Sequence, residues 1–240
     1  TAVQAVTILA RAFARQFAAK FVPLLDAVAG QLSENTPQST SCYLCIATLC
    51  AALGPRAFPK LSVFLPPMLH RLEQAAEKRA PHAAAPAGQR DAALLVQSVL
   101  SALASVTSSL PNFLHPHVKR ILELLTAFAG VTSPPAIPQL VNTVLQNLAT
   151  HMQPRILLPL VFELYPACLR AGRLSAASLL KFLASVLAQL PASQSAAHID
   201  ALSDFLLRAL EKPLSSVGGS EDASDVDDAS LELSSAEVSG

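Results

Sequence analysis

The residues of this chain that could do chemistry are few and poorly grouped. Cys42-x-x-Cys45, followed by Cys50, places two thiols at metal-ligand spacing. A closed zinc site needs four soft or imidazole donors, and neither a second cysteine pair nor a suitably spaced histidine follows. All three cysteines share one apolar, helix-forming run, so they read as buried core residues. They cannot all pair with one another, and with Cys168 as the fourth they suit a reducing compartment better than a disulfide framework. His115 and His117 flank Pro116 at the start of a helix and could meet a metal or a phosphate, although surface turn residues are the preferred reading. Arg155 follows Pro154 at a helix N-terminus, where the dipole disfavours a cation without an acidic partner. A carboxylate of the adjacent repeat is the expected partner, and an external acidic group is the other possibility. Ser224 and Ser234 each precede an acid by three residues (Asp227 and Glu237), the context that acid-directed kinases read. No Ser-His-Asp arrangement, glycine-rich phosphate loop or catalytic carboxylate pair can be assembled from spacing. The sequence therefore points away from an enzyme, and no catalytic residue, metal, cofactor or small-molecule substrate is expected.

The elements that carry these residues repeat. Four times an apolar run meets a proline and continues as a second apolar run: Phe21-Val22-Pro23-Leu24-Leu25, Phe64-Leu65-Pro66-Pro67-Met68-Leu69, Phe113-Leu114-His115-Pro116-His117-Val118 and Leu157-Leu158-Pro159-Leu160-Val161. Pro23, Pro66, Pro116 and Pro159 are spaced by 43, 50 and 43 residues. A period of about 40–47 residues in a helical chain marks HEAT or armadillo repeats, in which each helix pair buries its apolar faces only by stacking on its neighbours. The expected fold is all-α, a solenoid of about five helix pairs over 1–212. Helices are predicted over 2–19, 22–32, 40–53, 61–79, 90–110, 114–129, 135–151, 155–171, 174–190 and 196–211. Gly30, Gly54, Gly130 and Gly172 each follow an apolar run, where a left-handed C-terminal residue is expected. Ser133-Pro134-Pro135 offers a cap and a first-turn proline. Pro66, Pro116 and Pro159 are expected inside the second helices as kinks, and the alanine- and proline-rich stretch 80–88 as an exposed loop. One face of the helix at 114–129 is formed by Val118, Ile121, Leu122, Leu125 and Phe128. On the last helix Ile199, Leu202, Leu206 and Leu210 are expected to pack opposite a polar stripe of Asp200, Asp204, Arg208 and Glu211.

Composition agrees with helix. The chain of 240 residues is 52% hydrophobic but only 5% aromatic, and it lacks Trp. Charged residues make up 14%, against roughly 25% in ordinary soluble domains. That deficit fits either faces that pack on further repeats or partners, or an alanine-rich genome. Thr1 opens in the middle of an apolar pattern, so the chain is expected to be a piece of something longer. Basic and acidic residues number 17 each, but seven of the acids and none of the bases fall in 213–240, leaving a body of net +7. Residues 213–240 read as a disordered acidic tail, rich in Ser and Gly. The densest basic groups, Lys78-Arg79 and Lys119-Arg120, are not interleaved with aromatics, so RNA contact by this segment is expected to be weak and phosphate-driven. The uncharged stretch 92–114 is long enough for a membrane span, but its scattered Ser, Thr and Gln suit a buried solenoid helix better.

Three stretches occur in a recognisable order: Leu44-Cys45-Ile46-Ala47, then Leu110-Pro111-Asn112-Phe113-Leu114-His115-Pro116, then the run from Asn147 to Pro159. They resemble the C-terminal region of the very large nucleolar HEAT-repeat proteins of the small-subunit processome. This is the small nucleolar RNA-associated protein ten family, called HEAT-repeat-containing protein one in animals. The resemblance covers about Ser41 to Leu210 and is most specific at Pro154-Arg155-Ile156-Leu157-Leu158-Pro159, whereas the insertion at 80–88 departs from the pattern. It implies a non-enzymatic nucleolar scaffold that supports small-subunit pre-rRNA processing and rDNA transcription. The implied partners are other processome proteins and the pre-ribosomal ribonucleoprotein, with no membrane. The family offers no catalytic residues to carry over. A transport receptor or adaptor for protein cargo would share the repeats and is the alternative reading. A microtubule-binding array would need Trp and Lys in its loops, and this chain has no Trp.

Overall fold

The computed structural model describes residues 2–32, 39–77, 87–131, 134–190 and 198–211. Ten α-helices lie among them: α1 (Ala2–Phe13), α2 (Ala18–Gly30), α3 (Ser39–Leu53), α4 (Leu61–Glu77), α5 (Ala87–Ser109), α6 (Val118–Ala127), α7 (Ala136–His151), α8 (Pro154–Ala171), α9 (Arg173–Ala188) and α10 (Ile199–Glu211). No strand occurs among the described residues. Helices α1, α3, α5, α7 and α9 pack side by side in that order as one layer, here the A layer. Helices α2, α4, α6 and α8 form the B layer in the same way. Helix α10 extends the B layer, because Phe205 stacks on Phe162 of α8 at 4.7 Å and meets Tyr165 edge-on at 5.0 Å. The result is an α-solenoid two helices thick, with one continuous apolar core running from Ala10 to Phe205.

The repeating proline has a physical explanation in the B layer. Pro23, Pro66 and Pro159 are each the sixth residue of their helix, in α2, α4 and α8. Each lacks the N–H that would reach the carbonyl four residues earlier, on Ala19, Ser62 and Arg155 respectively. All six residues lie on the exposed side, so water can satisfy the freed carbonyls while Phe21, Phe64 and Leu157 bury on the opposite side. Pro116 behaves differently from expectation. It sits in a 3-10 turn, His115–His117, that follows another at Pro111–Phe113, and α6 starts only after it. Phe113 stacks on Phe58 of the 3-10 segment Gly54–Lys60 at 4.0 Å, which holds this approach in place while Leu114 is fully buried.

Several boundaries also move. The helix predicted over 2–19 stops at Phe13, and the chain turns through 14–17 so that Phe21 and Leu25 enter the core. No glycine or proline marks that corner; burial of Ala10, Ala14 and Ala18 sets it. Of the four glycines expected in left-handed conformation, Gly54 (φ 57°) and Gly172 (φ 132°) have positive φ. Gly30 ends α2 in helical form, and Gly130 lies in a turn where a Cβ would sit 3.5 Å from Leu174. Gly172 alone joins α8 to α9, which explains how two long helices fold back without a loop. The α6 face is buried as expected. On α10 the contact face is Leu202 and Phe205, while Ile199, Leu206 and Leu210 are exposed; docking of Phe205 on α8 rotates the helix away from the expected stripe. Of the expected loop 80–88, residues 87 and 88 instead open α5, and residues 80–86, Ser133 and the predicted tail 213–240 lie outside the described residues.

The stretches Ser39–Glu77 and Arg90–Ser109 match a membrane span by length and apolarity. Here α5 packs between α3 and α7, burying Val99, Leu100, Ala102, Leu103 and Val106. Its hydroxyls turn inward on its own backbone, with Ser98, Thr107 and Ser108 donating to the carbonyls of Leu95, Ala104 and Ser105.

Candidate protein-docking face

The two layers carry different charge. The five A-layer helices contain five charged residues, Arg11, Arg90, Asp91, Arg173 and Lys181, and α3 and α7 contain none. The shorter B-layer helices contain fifteen. Those charges tie successive B-layer repeats together. Lys60, just ahead of α4, meets Asp26 of α2 at 2.5 Å. Arg120 of α6 donates from Nε and Nη2 to the two carboxylate oxygens of Glu73 on α4, both at 2.6 Å. Lys119, its neighbour, reaches the other way to Glu163 of α8 at 2.5 Å. The Arg120 hydrogen bonds hold the Glu73 carboxyl below its ordinary range, partial burial opposes that, and His70 at 3.5 Å adds to it. Glu163 likewise raises the Lys119 ammonium. The Lys119-Arg120 pair, one of the two densest basic groups, is therefore engaged within the protein, while Lys78-Arg79 lies outside the described residues.

Between A-layer helices the polar ties are neutral. Asn147 of α7 donates from Nδ2 to the Ala104 carbonyl (2.9 Å) and to Thr107 Oγ1 (3.2 Å) on α5. Gln146 donates to Ser185 of α9 at 3.0 Å. Ser175 of α9 donates to the Thr126 carbonyl at 3.0 Å, which ties the layers together. What remains outside is a sparsely charged surface, to which Arg11, Arg90, Asp91, Arg173 and Lys181 contribute and to which α3 and α7 add no charge. Across α3, α5 and α7 it sinks into a groove of about 450 Å³ lined by Thr40 and Leu44, by Leu94, Gln97, Ser98 and Ser101, and by Ala136, Gln139, Leu140 and Thr143. Leu44 and Leu94 stand 44% and 55% exposed in its walls. No charged residue lines it.

The residues singled out from sequence do not converge. Cys42, Cys45 and Cys50 are fully buried in α3 and Cys168 nearly so in α8, all as free thiols. Burial pushes each of them up, Cys50 to about 12, far from the thiolate that a metal or nucleophilic chemistry needs. No cluster of three metal-ligating side chains occurs among the described residues. His115 is exposed and His117 half-buried in the 3-10 turn before α6. Arg155 is exposed in the first turn of α8, and no ion pair forms to it among the described residues. One repeat earlier the chain offers Pro111 and Asn112, not a carboxylate. Ser224 and Ser234 lie outside the described residues.

Two features escaped the sequence reading. The ion pairs link residues one repeat apart, 44 for Lys119 and Glu163 and 47 for Arg120 and Glu73, so opposite charges at the repeat period were the available signal. Basic charge also meets aromatics at one place, contrary to expectation: Arg11, Phe13, Arg15, Phe17 and Lys20 are all exposed, with Lys20 Nζ 5.9 Å from the Phe17 ring.

Two layers of helices stacked at a period of about 43 residues, sharing one core, define a HEAT-type α-solenoid. No protein-family model matches the chain. Proteins named HEAT repeat-containing protein 1 do match it: the Danio rerio protein is 22% identical over 218 residues and the Homo sapiens protein 24% over 219, each covering 88% of this chain. The Dictyostelium discoideum homolog is 26% identical over 211 residues, or 85% of the chain. The match spans only 9–10% of the length of these relatives. The resemblance carried by Leu44–Ala47 and Asn147–Pro159 thus extends along nearly the whole helical stack.

Proposed function

We propose that this chain is a non-catalytic scaffold segment of the nucleolar small-subunit processome. In this reading it supports small-subunit pre-rRNA processing and rDNA transcription through protein–protein contacts. The similarity to three HEAT repeat-containing proteins, covering 85–88% of the chain, carries the reading. The site chemistry supports it. Thiols held protonated by burial and a charge-free groove suit recognition better than bond making. Three of the body's basic residues, Lys60, Lys119 and Arg120, neutralise carboxylates within the protein, so pre-ribosomal RNA is met mainly through protein partners.

The test is affinity purification of the tagged whole protein from cells, with sequencing of co-isolated RNA and mass spectrometry of co-isolated proteins. Small-subunit precursor rRNA together with processome proteins is the expected recovery, with the tag in the nucleolus. Recovery of nuclear transport factors and a nucleotide-switch GTPase instead would replace this reading with that of a transport receptor.

A further inference from the structure

We infer that the groove across α3, α5 and α7 seats one amphipathic helix of a partner protein, through a contact stripe that carries no charge. The inference rests on the scaffold reading and names the kind of partner that one surface takes. Four observations define the occupant. First, none of the ten lining residues is Lys, Arg, Asp or Glu. Nucleic-acid binding is dominated by cations on phosphate, so nothing here holds a phosphate backbone. A charged stripe would likewise be desolvated without a counter-charge. Second, Leu44 and Leu94 are exposed in the walls, and Leu140 is half-buried and packs against the core. They provide apolar anchors on three successive repeats.

Third, the walls are helices whose backbone groups already bond internally, and no strand edge exists among the described residues. An extended peptide could not add a strand here. Its run of amides would find only scattered wall groups such as Gln97 and Gln139, and each amide buried without a partner costs roughly 1–3 kcal/mol. A helix brings its own backbone bonds satisfied. Fourth, the side chains of Gln97 and Gln139 make no hydrogen bond among the described residues. Beside the leucines they offer neutral donors and acceptors to Ser, Thr, Asn or Gln flanking the partner's apolar stripe. Three helices at about 8–10 Å spacing make a groove roughly 20 Å long, which about 13 helical residues span.

A photo-crosslinking amino acid placed at Ser101 or Thr143 of the whole protein in cells tests this directly. Both positions are partly or fully accessible on the groove wall. The expected product is a crosslink to a partner-protein segment with helical apolar periodicity and no charge on that stripe. A synthetic peptide of that segment should bind the purified chain. Leu44→Glu with Leu94→Glu should weaken it by about tenfold or more, and salt between roughly 0.1 and 0.5 M should change it by less than about twofold. Both leucines are exposed, so the variant should keep its helical circular dichroism and melting temperature. A crosslink to RNA, to a charged extended segment or to another part of this chain would overturn the inference, as would the absence of any crosslink. A helical, uncharged partner from outside ribosome assembly would uphold the groove while removing the processome reading.

Discussion

Successive A-layer helices are joined by amides and hydroxyls, whereas successive B-layer helices are joined by carboxylates and cations. Both layers share the same core, so burial of leucine and phenylalanine, not the polar ties, supplies most of the stability. The polar ties instead set what each outer surface has left over. On the B side Asp26, Glu73, Lys119, Arg120 and Glu163 are engaged across repeats, with Lys60 just ahead of α4. On the A side the few charges stand on α1, at the start of α5 and on α9, and the partly apolar groove across α3, α5 and α7 is lined by none of them. A solenoid can in this way keep one side for its own alignment and free the other for partners.

The sharpest way to break this comparison is to cut the core from both sides. Leu122→Ala in α6 and Leu100→Ala in α5 each remove a fully buried side chain, and each should cost about 2–5 kcal/mol in chemical denaturation. Similar losses with single transitions would show one core serving both layers. A large loss in one and none in the other would mean that the layers are not equivalent in packing.

Alkaline pH probes the A layer. The Cys50 thiol is pushed up to about 12 by burial, so between about pH 9 and 12 the unfolded chain releases a proton that the folded chain keeps. Stability from this group is therefore complete below the unfolded value and falls as pH rises, by up to about 4 kcal/mol. Comparing denaturation midpoints of wild type and Cys50→Ala across that range should show a flatter alkaline limb in the variant. Parallel limbs would mean that Cys50 is not buried as described.

Smaller effects separate the ties themselves. Asn147→Ala removes two inter-helix hydrogen bonds from α7 to α5 and should cost about 1–2 kcal/mol with little dependence on salt. Arg120→Ala should cost no more than about 1 kcal/mol, because the pair is partly exposed, and the loss should shrink as salt is raised. The Glu73 carboxyl is depressed chiefly by its hydrogen bonds from Arg120, so its contribution is present above about pH 4.5 and is lost as pH falls further. Melting curves at two salt concentrations and along an acid series check both statements. A salt-sensitive Asn147 variant or a salt-insensitive Arg120 variant would erase the distinction between the layers.

Much of this architecture could be read from residue types. Glycine and proline bracket α3, α4, α7, α8 and α9, and those helices fall within a few residues of expectation because the punctuation acts locally. The corner at 14–17 was invisible, since nothing local forbids the helix from continuing, and it is burial of Ala10, Ala14 and Ala18, with Phe21 and Leu25 beyond them, that turns it. Pro111 and Pro116 have the same spacing as Pro154 and Pro159, yet one pair produces 3-10 turns and the other a continuous α8. Contact of Phe113 with Phe58, more than fifty residues away, accompanies the difference and is not a local signal. The groove was illegible for a similar reason: Leu44, Leu94 and Leu140 look like three more core leucines until the stack shows which of them stay uncovered.

The division of labour between the layers is tested most directly by purifying the whole protein in two parallel variants and measuring the small-subunit precursor recovered with each. Leu44→Glu with Leu94→Glu should lose partner proteins and precursor RNA at unchanged melting temperature. Lys119→Ala with Arg120→Ala should keep them while melting lower at low salt. Full recovery with the groove variant, together with lost recovery with the ion-pair variant, would contradict the account and place the working surface on the B layer.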